Sequence, residues 1–175
     1  MAGVEHAIRF AGPSDAETIH RLIRELAAYE RAPDAVEVSP ARLRAQLASP
    51  RPPFECLLAE GPRGSVGFAL FFQSYSTWKG EPGLYLEDLY VVPEARGHGV
   101  GRRLLERLGE LARERGYARI EWAVLRWNEP ALAFYARLRA EPLEEWVTLR
   151  LSGKPLELLG AAGRLTSGDR RDGPA

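Results

Sequence analysis

Hydrophobic side chains in the first half of the chain follow helical spacing and then strand spacing. Four of them recur at three- and four-residue intervals and would form one face of a helix that starts near residue 14: Ile19, Leu22, Ile23 and Leu26. A second helix is predicted from Ser39, because serine is a favoured N-cap and Pro40 fits the first helical position. Apolar runs at 54–60 and 66–75 flank a turn of glycine and proline, which predicts two antiparallel strands.

The second half of the chain continues the alternation of strands and helices. The predicted segments are a strand at 84–92, a helix at about 102–115, a strand at 119–125, a helix at 128–139 and a strand at 146–151. With a short first strand at 7–10, the order is βααβββαβαβ. This order predicts an α/β fold with a mixed, mostly antiparallel central sheet flanked by helices.

Composition narrows the class of protein. With 175 residues, 45% of them hydrophobic, the chain is predicted to form a single domain over 1–158. A flexible tail is expected over 159–175, where periodicity is lost and glycine increases. The 24 basic and 24 acidic residues cancel and no apolar run approaches membrane-spanning length, so neither nucleic acid nor a membrane is expected as a partner. The lone Cys56 cannot form an internal disulfide, which favours the cytoplasm and a buried structural thiol.

The strongest motif is a loop rich in glycine between the strand at 84–92 and the helix after it, with the sequence RGHGVG at 96–101. Glycine allows left-handed backbone and close approach, and a helix N-terminus offers unpaired N–H groups, so a phosphate or pyrophosphate is the expected ligand. A nucleotide-hydrolysing P-loop is excluded because Arg102 and Arg103 follow the last glycine in place of Lys-Ser/Thr. A dinucleotide fingerprint is excluded because Arg102 or Leu104 stands at its third glycine position.

The remaining pattern, Arg-x-x-Gly-x-Gly, resembles the coenzyme A pyrophosphate loop of the GCN5-related N-acetyltransferases (GNAT). The resemblance covers about residues 5–151 and is closest to the spermidine/spermine and thialysine acetyltransferase group. Its motifs are LIRELAAYE (22–30), STWKG (76–80), YLED (85–88), AVL with WNEP (123–130) and FY (134–135). It implies an enzyme that moves the acetyl group of acetyl-CoA, without a metal, directly to a primary amine of a small polyamine, diamine or thialysine-like amino acid.

The resemblance also assigns site residues. The backbone of the strand would pair with the pantetheine arm, the loop would hold the pyrophosphate, and two residues of a later helix would line the thioester end. The implied cofactor-binding residues are Leu89, Tyr90, Val91, Arg96, Gly97, His98, Gly99, Val100, Gly101, Arg102, Asn128 and Tyr135. The implied amine-binding residues are Tyr29, Glu30, Glu87 and Glu145, and Trp78 and Trp127 could add a cation–π wall.

Amine acetylation requires a proton acceptor for the amine and a proton donor for the departing thiolate. Glu87, in the middle of an apolar strand, could accept the amine proton directly or through a water. Asp88 on the opposite face competes for this role, and Glu87 is preferred because it matches the family motif. The same match assigns the proton donor to Tyr135, whose alternative role is an aromatic residue of the core.

The sequence departs from the family pattern at Arg139, which stands where a glycine usually ends the helix that carries Tyr135. The family is usually dimeric, and Trp146 with the alternating residues that follow offers an apolar edge for a second copy. Two other functions stay open: an acetyltransferase for protein amines, and an acyl-CoA-binding regulator without turnover.

Overall fold

The computed structural model describes residues 6–166, with side chains up to residue 161, and is built on one five-stranded sheet. The strands lie side by side in chain order. Each pairs antiparallel with its predecessor except the last, which runs parallel to the fourth. The strands are β1 (Ile8–Phe10), β2 (Glu55–Gly61), β3 (Gly64–Ser76), β4 (Glu81–Val91) and β5 (Ile120–Trp122).

Helices connect the strands much as the apolar spacing predicts. They are α1 (Ala16–Tyr29), α2 (Pro40–Leu47), α3 (Val100–Glu114), α4 (Glu129–Arg137) and α5 (Gly153–Thr166). The predicted cap of α2 is confirmed, because the Ser39 hydroxyl accepts a hydrogen bond from the backbone N–H of Arg42 at 3.2 Å. In α1 the predicted apolar face is also confirmed, since three of its four residues are buried and Ile23 is partly buried.

Apolar side chains pack on both faces of the sheet. One cluster joins α3 to the sheet through Leu104, Leu108 and the strand residues Phe71 and Leu86. The other cluster joins α1 and α2 to the opposite face. Cys56 belongs to this second cluster, where it is 1% exposed and burial raises the pKa of its thiol, as expected for a structural cysteine.

The chain divides between Leu125 and Arg126 into two compact units, and each is described by itself below. The predicted mixed α/β fold is confirmed, with one exception in the second unit. The described residues 146–151 form no strand, so the predicted last strand is wrong. Their apolar alternation is real, but Val147 and Leu149 are 76% and 89% exposed, and a strand needs a pairing partner as well as a pattern.

Two segments contain more regular structure than the apolar pattern predicts. Strands are predicted at 66–75 and 84–92, but β3 extends to Ser76 and β4 begins at Glu81, so only a four-residue turn separates them. Helix α5 includes residues 159–166, the first part of the predicted tail, and the flexibility of the tail stays a prediction. Its glycines lower helix propensity without preventing the helix. Residues 167–175 of the predicted tail lie outside the described residues.

Arg139 keeps the backbone conformation of the glycine that it replaces. Its φ is 61°, in the left-handed region. The Arg139 N–H donates to the carbonyl of Ala136 at 3.0 Å, and the Ala140 N–H donates to that of Tyr135 at 3.2 Å, which is the Schellman pattern. Helix α3 ends in the same way at Gly116, with a φ of 68°. Helix α4 therefore ends with an arginine in the left-handed conformation, which is sterically unfavourable for a residue with a Cβ.

Replacing Arg139 with glycine is expected to stabilise the protein by about 0.5–1 kcal/mol, because glycine adopts a φ of 61° without a Cβ clash. The measurement is the free energy of unfolding from denaturant titration. The matched control is Gly116→Ala, which places a Cβ in the same motif of α3 and should destabilise by a similar amount. An Arg139→Gly variant that is less stable than wild type would show that the arginine side chain makes a compensating contact.

Candidate active site

Strand β4 contains one residue more than its partner at the point where the catalytic base was predicted. Leu86 is paired with Phe71 and Asp88 with Leu70, so Glu87 is an extra residue without a partner on β3. This is a β-bulge, a feature that redirects side chains and occurs often beside active sites. Glu87 is exposed, whereas Leu86 before it is buried.

The bulge reverses the alternation of side chains along β4. Before it, Leu84 and Leu86 pack in the cluster on α3; after it, the residues that pack there are Leu89 and Val91. Tyr90 consequently packs with α1 and α2, opposite Phe68. Asp88 pairs with Leu70 of that same cluster, which places its side chain on the α1 face of the sheet.

Two other carboxylates affect the pKa of Asp88 on this side of the bulge. Burial, together with the negative charges of Glu87 and Glu30, raises the pKa of Asp88 to about 6. Desolvation raises the pKa of Glu30, which follows the last residue of α1. We call Glu30, Glu87 and Asp88 the acidic cluster. The sequence points to all three residues, with Glu87 preferred over Asp88 as the base because it matches the family motif; the environment that raises the pKa of Asp88 is visible only in the structure.

The edge of β4 that faces β5 is open beyond the bulge. Within the described residues, β5 pairs with β4 only from Leu84 to Leu86. Leu89, Tyr90 and Val91 are bonded on their other side to β3. Their backbone groups on the β5 side are therefore able to receive an extended ligand as an added strand, which is the role predicted for them.

The loop after β4 has the backbone that its glycines suggest. Gly97 and Gly99 have φ angles of 77° and 78°, and a Cβ built at either would meet no atom within 4 Å. The surrounding space is thus open to a ligand. Helix α3 begins at Val100, two residues earlier than expected, so Gly101 and Arg102 lie in its first turn with Gly99 as N-cap. This geometry directs N–H groups of the first turn toward the open loop.

Side chains of the loop make contacts within the protein. The Nε of Arg96 donates to the carbonyl of Val91 at 2.9 Å. The ring of His98 lies 2.8 Å from the carbonyl of Arg96 through Nδ1. Arg102 pairs with Glu106 one helical turn later at 2.7 Å. Anion binding at this loop would therefore depend chiefly on backbone N–H groups.

The second unit contains three of the predicted cofactor-binding and amine-binding residues: Asn128, Tyr135 and Glu145. Asn128 is the N-cap of α4, where its side-chain oxygen accepts the N–H of Ala131 at 3.3 Å, and it is 8% exposed. Tyr135 lies in the last turn of α4, partly buried, with its ring centroid 5.2 Å from that of Phe134. Glu145 is exposed in the segment between α4 and α5.

The described residues contain no helix that could cross a membrane. They also contain no group of three or more His, Cys, Asp or Glu side chains placed to hold a metal.

Solved structures share this architecture. The alignment with an integron cassette protein from V. cholerae covers 90% of this chain and 99% of that protein, with a TM-score of 0.76 and 24% sequence identity. An aminoglycoside acetyltransferase from an uncultured soil metagenomic sample covers 85% of this chain and 97% of its own, with a TM-score of 0.72 and 19% identity. The fold is that of the acetyltransferases.

Sequence comparison gives the family. Residues 19–139 match the model of the Acetyltransferase (GNAT) family, so the chain belongs to this family and is an acetyltransferase. It is 42% identical to the thialysine N-epsilon-acetyltransferase of Bos taurus over 87% of this chain and 96% of that protein. It is 36% identical to the spermidine/spermine N(1)-acetyltransferase-like protein 1 of Homo sapiens over 85% of this chain and 23% of that protein. These relatives agree with the group named from the motifs.

Proposed function

We propose that this chain transfers the acetyl group of acetyl-CoA to a primary amine of a small polyamine, a diamine or a thialysine-like amino acid. The observation that carries the proposal is the bulge in β4, which lies between the part of the strand that pairs with β5 and the part that leads to the glycine loop. In this proposal the acidic cluster binds the amine and the loop binds the anion. The names of the thialysine and spermidine/spermine relatives support an amine acceptor.

The open elements fit the parts of acetyl-CoA. Leu89, Tyr90 and Val91 would pair with the amide-bearing arm, and the N–H groups of 97–102 would hold the pyrophosphate. Asn128 would line the thioester end, as in the family. The space at Gly97 and Gly99 is needed because phosphate oxygens must approach the backbone closely.

The chemistry follows from the acid and base groups. Glu87 accepts a proton from the ammonium, directly or through a water, and leaves a nitrogen lone pair that forms the new N–C bond. Tyr135 donates its phenolic proton to the thiolate as the C–S bond breaks. The nitrogen loses a second proton when the tetrahedral intermediate collapses to the amide, and this proton restores Tyr135 directly or through water. The ammonium thus loses two protons and the thiolate gains one, so the net reaction releases one proton to solvent through Glu87.

The acidic cluster would also select the substrate. A cationic amine is attracted by several carboxylates at once, and its charge offsets the repulsion between them. Tyr29, next to Glu30, and Glu145 complete the proposed amine-binding set. Trp78, the proposed cation–π residue, lies on the turn between β3 and β4 and is 89% exposed.

The discriminating experiment measures thiol release from acetyl-CoA with a panel of free polyamines, diamines, thialysine-like amino acids and lysine peptides. Turnover with free amines supports the proposal. Turnover with peptides alone would make the chain a protein-amine acetyltransferase. Acetyl-CoA binding without turnover on any amine would make it an acyl-CoA-binding regulator.

The second unit supports a homodimer. Five large apolar side chains between α4 and α5 are exposed in the single chain: Leu143, Trp146, Val147, Leu149 and Leu151. Such a cluster is typical of a protein interface. Sedimentation analysis should give about twice the 19.5 kDa chain mass, and a monomer at micromolar concentration would reject the dimer.

The buried free thiol of Cys56 is compatible with the cytoplasmic location that we also propose.

Replacing Gly99 with valine tests the loop. Valine is strongly disfavoured at a φ of 78°, so the N-cap should shift and the acetyl-CoA dissociation constant should rise about ten-fold or more. Isothermal calorimetry measures this constant. Gly109→Ala inside α3 is the control for a general effect on the helix, because its added Cβ meets nothing within 4 Å. Unchanged affinity in a folded Gly99→Val variant would show that the loop does not bind the pyrophosphate.

A further inference from the structure

The side chain of Arg96 points to a different partner from the one its motif suggests. Its guanidinium carbon lies 4.7 Å from the ring centroid of Tyr29 and 5.5 Å from that of Tyr90. Both distances are within the range of cation–π contacts. Its Nε is held by the carbonyl of Val91 at 2.9 Å. One residue thus joins the end of α1, the end of β4 and the first position of the glycine loop.

Arg96 contacts the last residue of α1 from outside the helix. The helix is terminated by Arg31 with a φ of 63°, a left-handed conformation that costs energy for a residue other than glycine. A guanidinium at a helix C-terminus also interacts favourably with the partial negative charge of the last carbonyl groups. The last turn is closed by hydrogen bonds from the N–H groups of Arg31 and Ala32 to the carbonyls of Ala28 and Ala27, and the Arg96 side chain adds a contact from outside the helix.

That last turn leads directly into the acidic cluster. Tyr29 is the final residue of α1, and Glu30, which follows it, contributes to the raised pKa of Asp88. Displacement of Tyr29 would move Glu30 relative to Asp88. Burial raises the pKa of the Tyr90 phenol, in the direction that keeps the ring neutral.

We infer that Arg96 is a positioning residue for amine binding: it fixes Tyr29 and Glu30 through its stack on Tyr29 and Tyr90, and its side chain does not recognise the cofactor's pyrophosphate. The inference rests on the proposed function. One motif would then have two roles: its glycines bind the pyrophosphate, and its arginine positions the residues that bind the amine.

The test is Arg96→Lys, which keeps the charge but loses the planar group and the Nε donor. The amine KM should rise about five-fold or more, while kcat and the acetyl-CoA dissociation constant stay within about two-fold of wild type. In a double-mutant cycle, Arg96→Lys should add little to Tyr29→Leu, because both remove the same contact. Arg107→Lys is the control, since Arg107 pairs with Glu110 and Glu114 on the surface of α3.

A second readout does not require turnover. Amide hydrogen exchange at 27–32 should be faster in Arg96→Lys than in wild type or Arg107→Lys. A wild-type protein without amine turnover would reject the proposed function, and the exchange experiment would still decide whether Arg96 holds the end of α1. The inference is overturned if Arg96→Lys weakens acetyl-CoA binding ten-fold with an unchanged amine KM, if the cycle is additive, or if exchange is unaltered.

Discussion

Replacement of Tyr135 by phenylalanine is expected to lower the rate of acetyl transfer about 100-fold or more. The change removes the phenolic oxygen and keeps the ring that contacts Phe134, so the fold and the acetyl-CoA affinity should change little. Without a proton donor, the thiolate must leave unprotonated or wait for water. The Michaelis constants for both substrates should change much less than the rate.

The decisive measurement is a single-turnover rate at saturating amine, because product release could limit the steady state and conceal the loss. Tyr75→Phe is a matched control, since Tyr75 is an exposed tyrosine of β3 outside the proposed site. A Tyr135→Phe variant with the wild-type single-turnover rate would leave Tyr135 as a packing residue and require another donor.

The second large effect is expected at the acidic cluster. Glu87→Gln keeps the shape of the side chain but removes the proton acceptor and one negative charge. It should lower kcat/KM for the amine about ten-fold or more, with part of the loss in amine binding. Added salt should weaken amine capture in the wild type. A rate that equals wild type from pH 6 to 10 would exclude Glu87 from the reaction.

The pH profile separates Glu87 from Asp88. Asp88, with a pKa of about 6, is protonated below that pH and charged above it, so amine capture should increase as the pH rises through about 6. Glu87→Gln removes a negative neighbour and should move this inflection to lower pH. Asp88→Asn should abolish it. If Asp88→Asn loses more activity than Glu87→Gln across the profile, the base is Asp88 and the preference drawn from the motif is wrong.

Much of the first unit could be predicted because its signals are local. The apolar face of α1, the serine cap of α2 and the glycine loop each depend on residues close together in sequence, and each is present. The bulge at Glu87 could not be predicted in the same way. The bulge arises because β4 has one residue more than β3 between two paired positions. The sequence of one strand does not show how many residues the neighbouring strand has there.

The errors in the second unit have a related cause. The alternation at 146–151 is a sound strand pattern, but strand formation depends on a partner outside the segment. Helix α5 is not predicted from the sequence because its glycines indicate irregular chain, although its leucines favour a helix. Arg96 and Tyr29 are in contact although they lie 67 positions apart in the sequence, and no spacing rule connects them.

The extra residue in β4 makes the proposed base separable from the hydrophobic core during evolution. Because Glu87 has no partner on β3, its deletion would bring Leu86 and Leu89 into plain alternation and leave Leu89 and Val91 facing α3. Substitution at the same position also leaves the core in register. Lineages that abandon acetylation are therefore expected to lose either the carboxylate or the whole residue, with the core of the sheet intact in both cases.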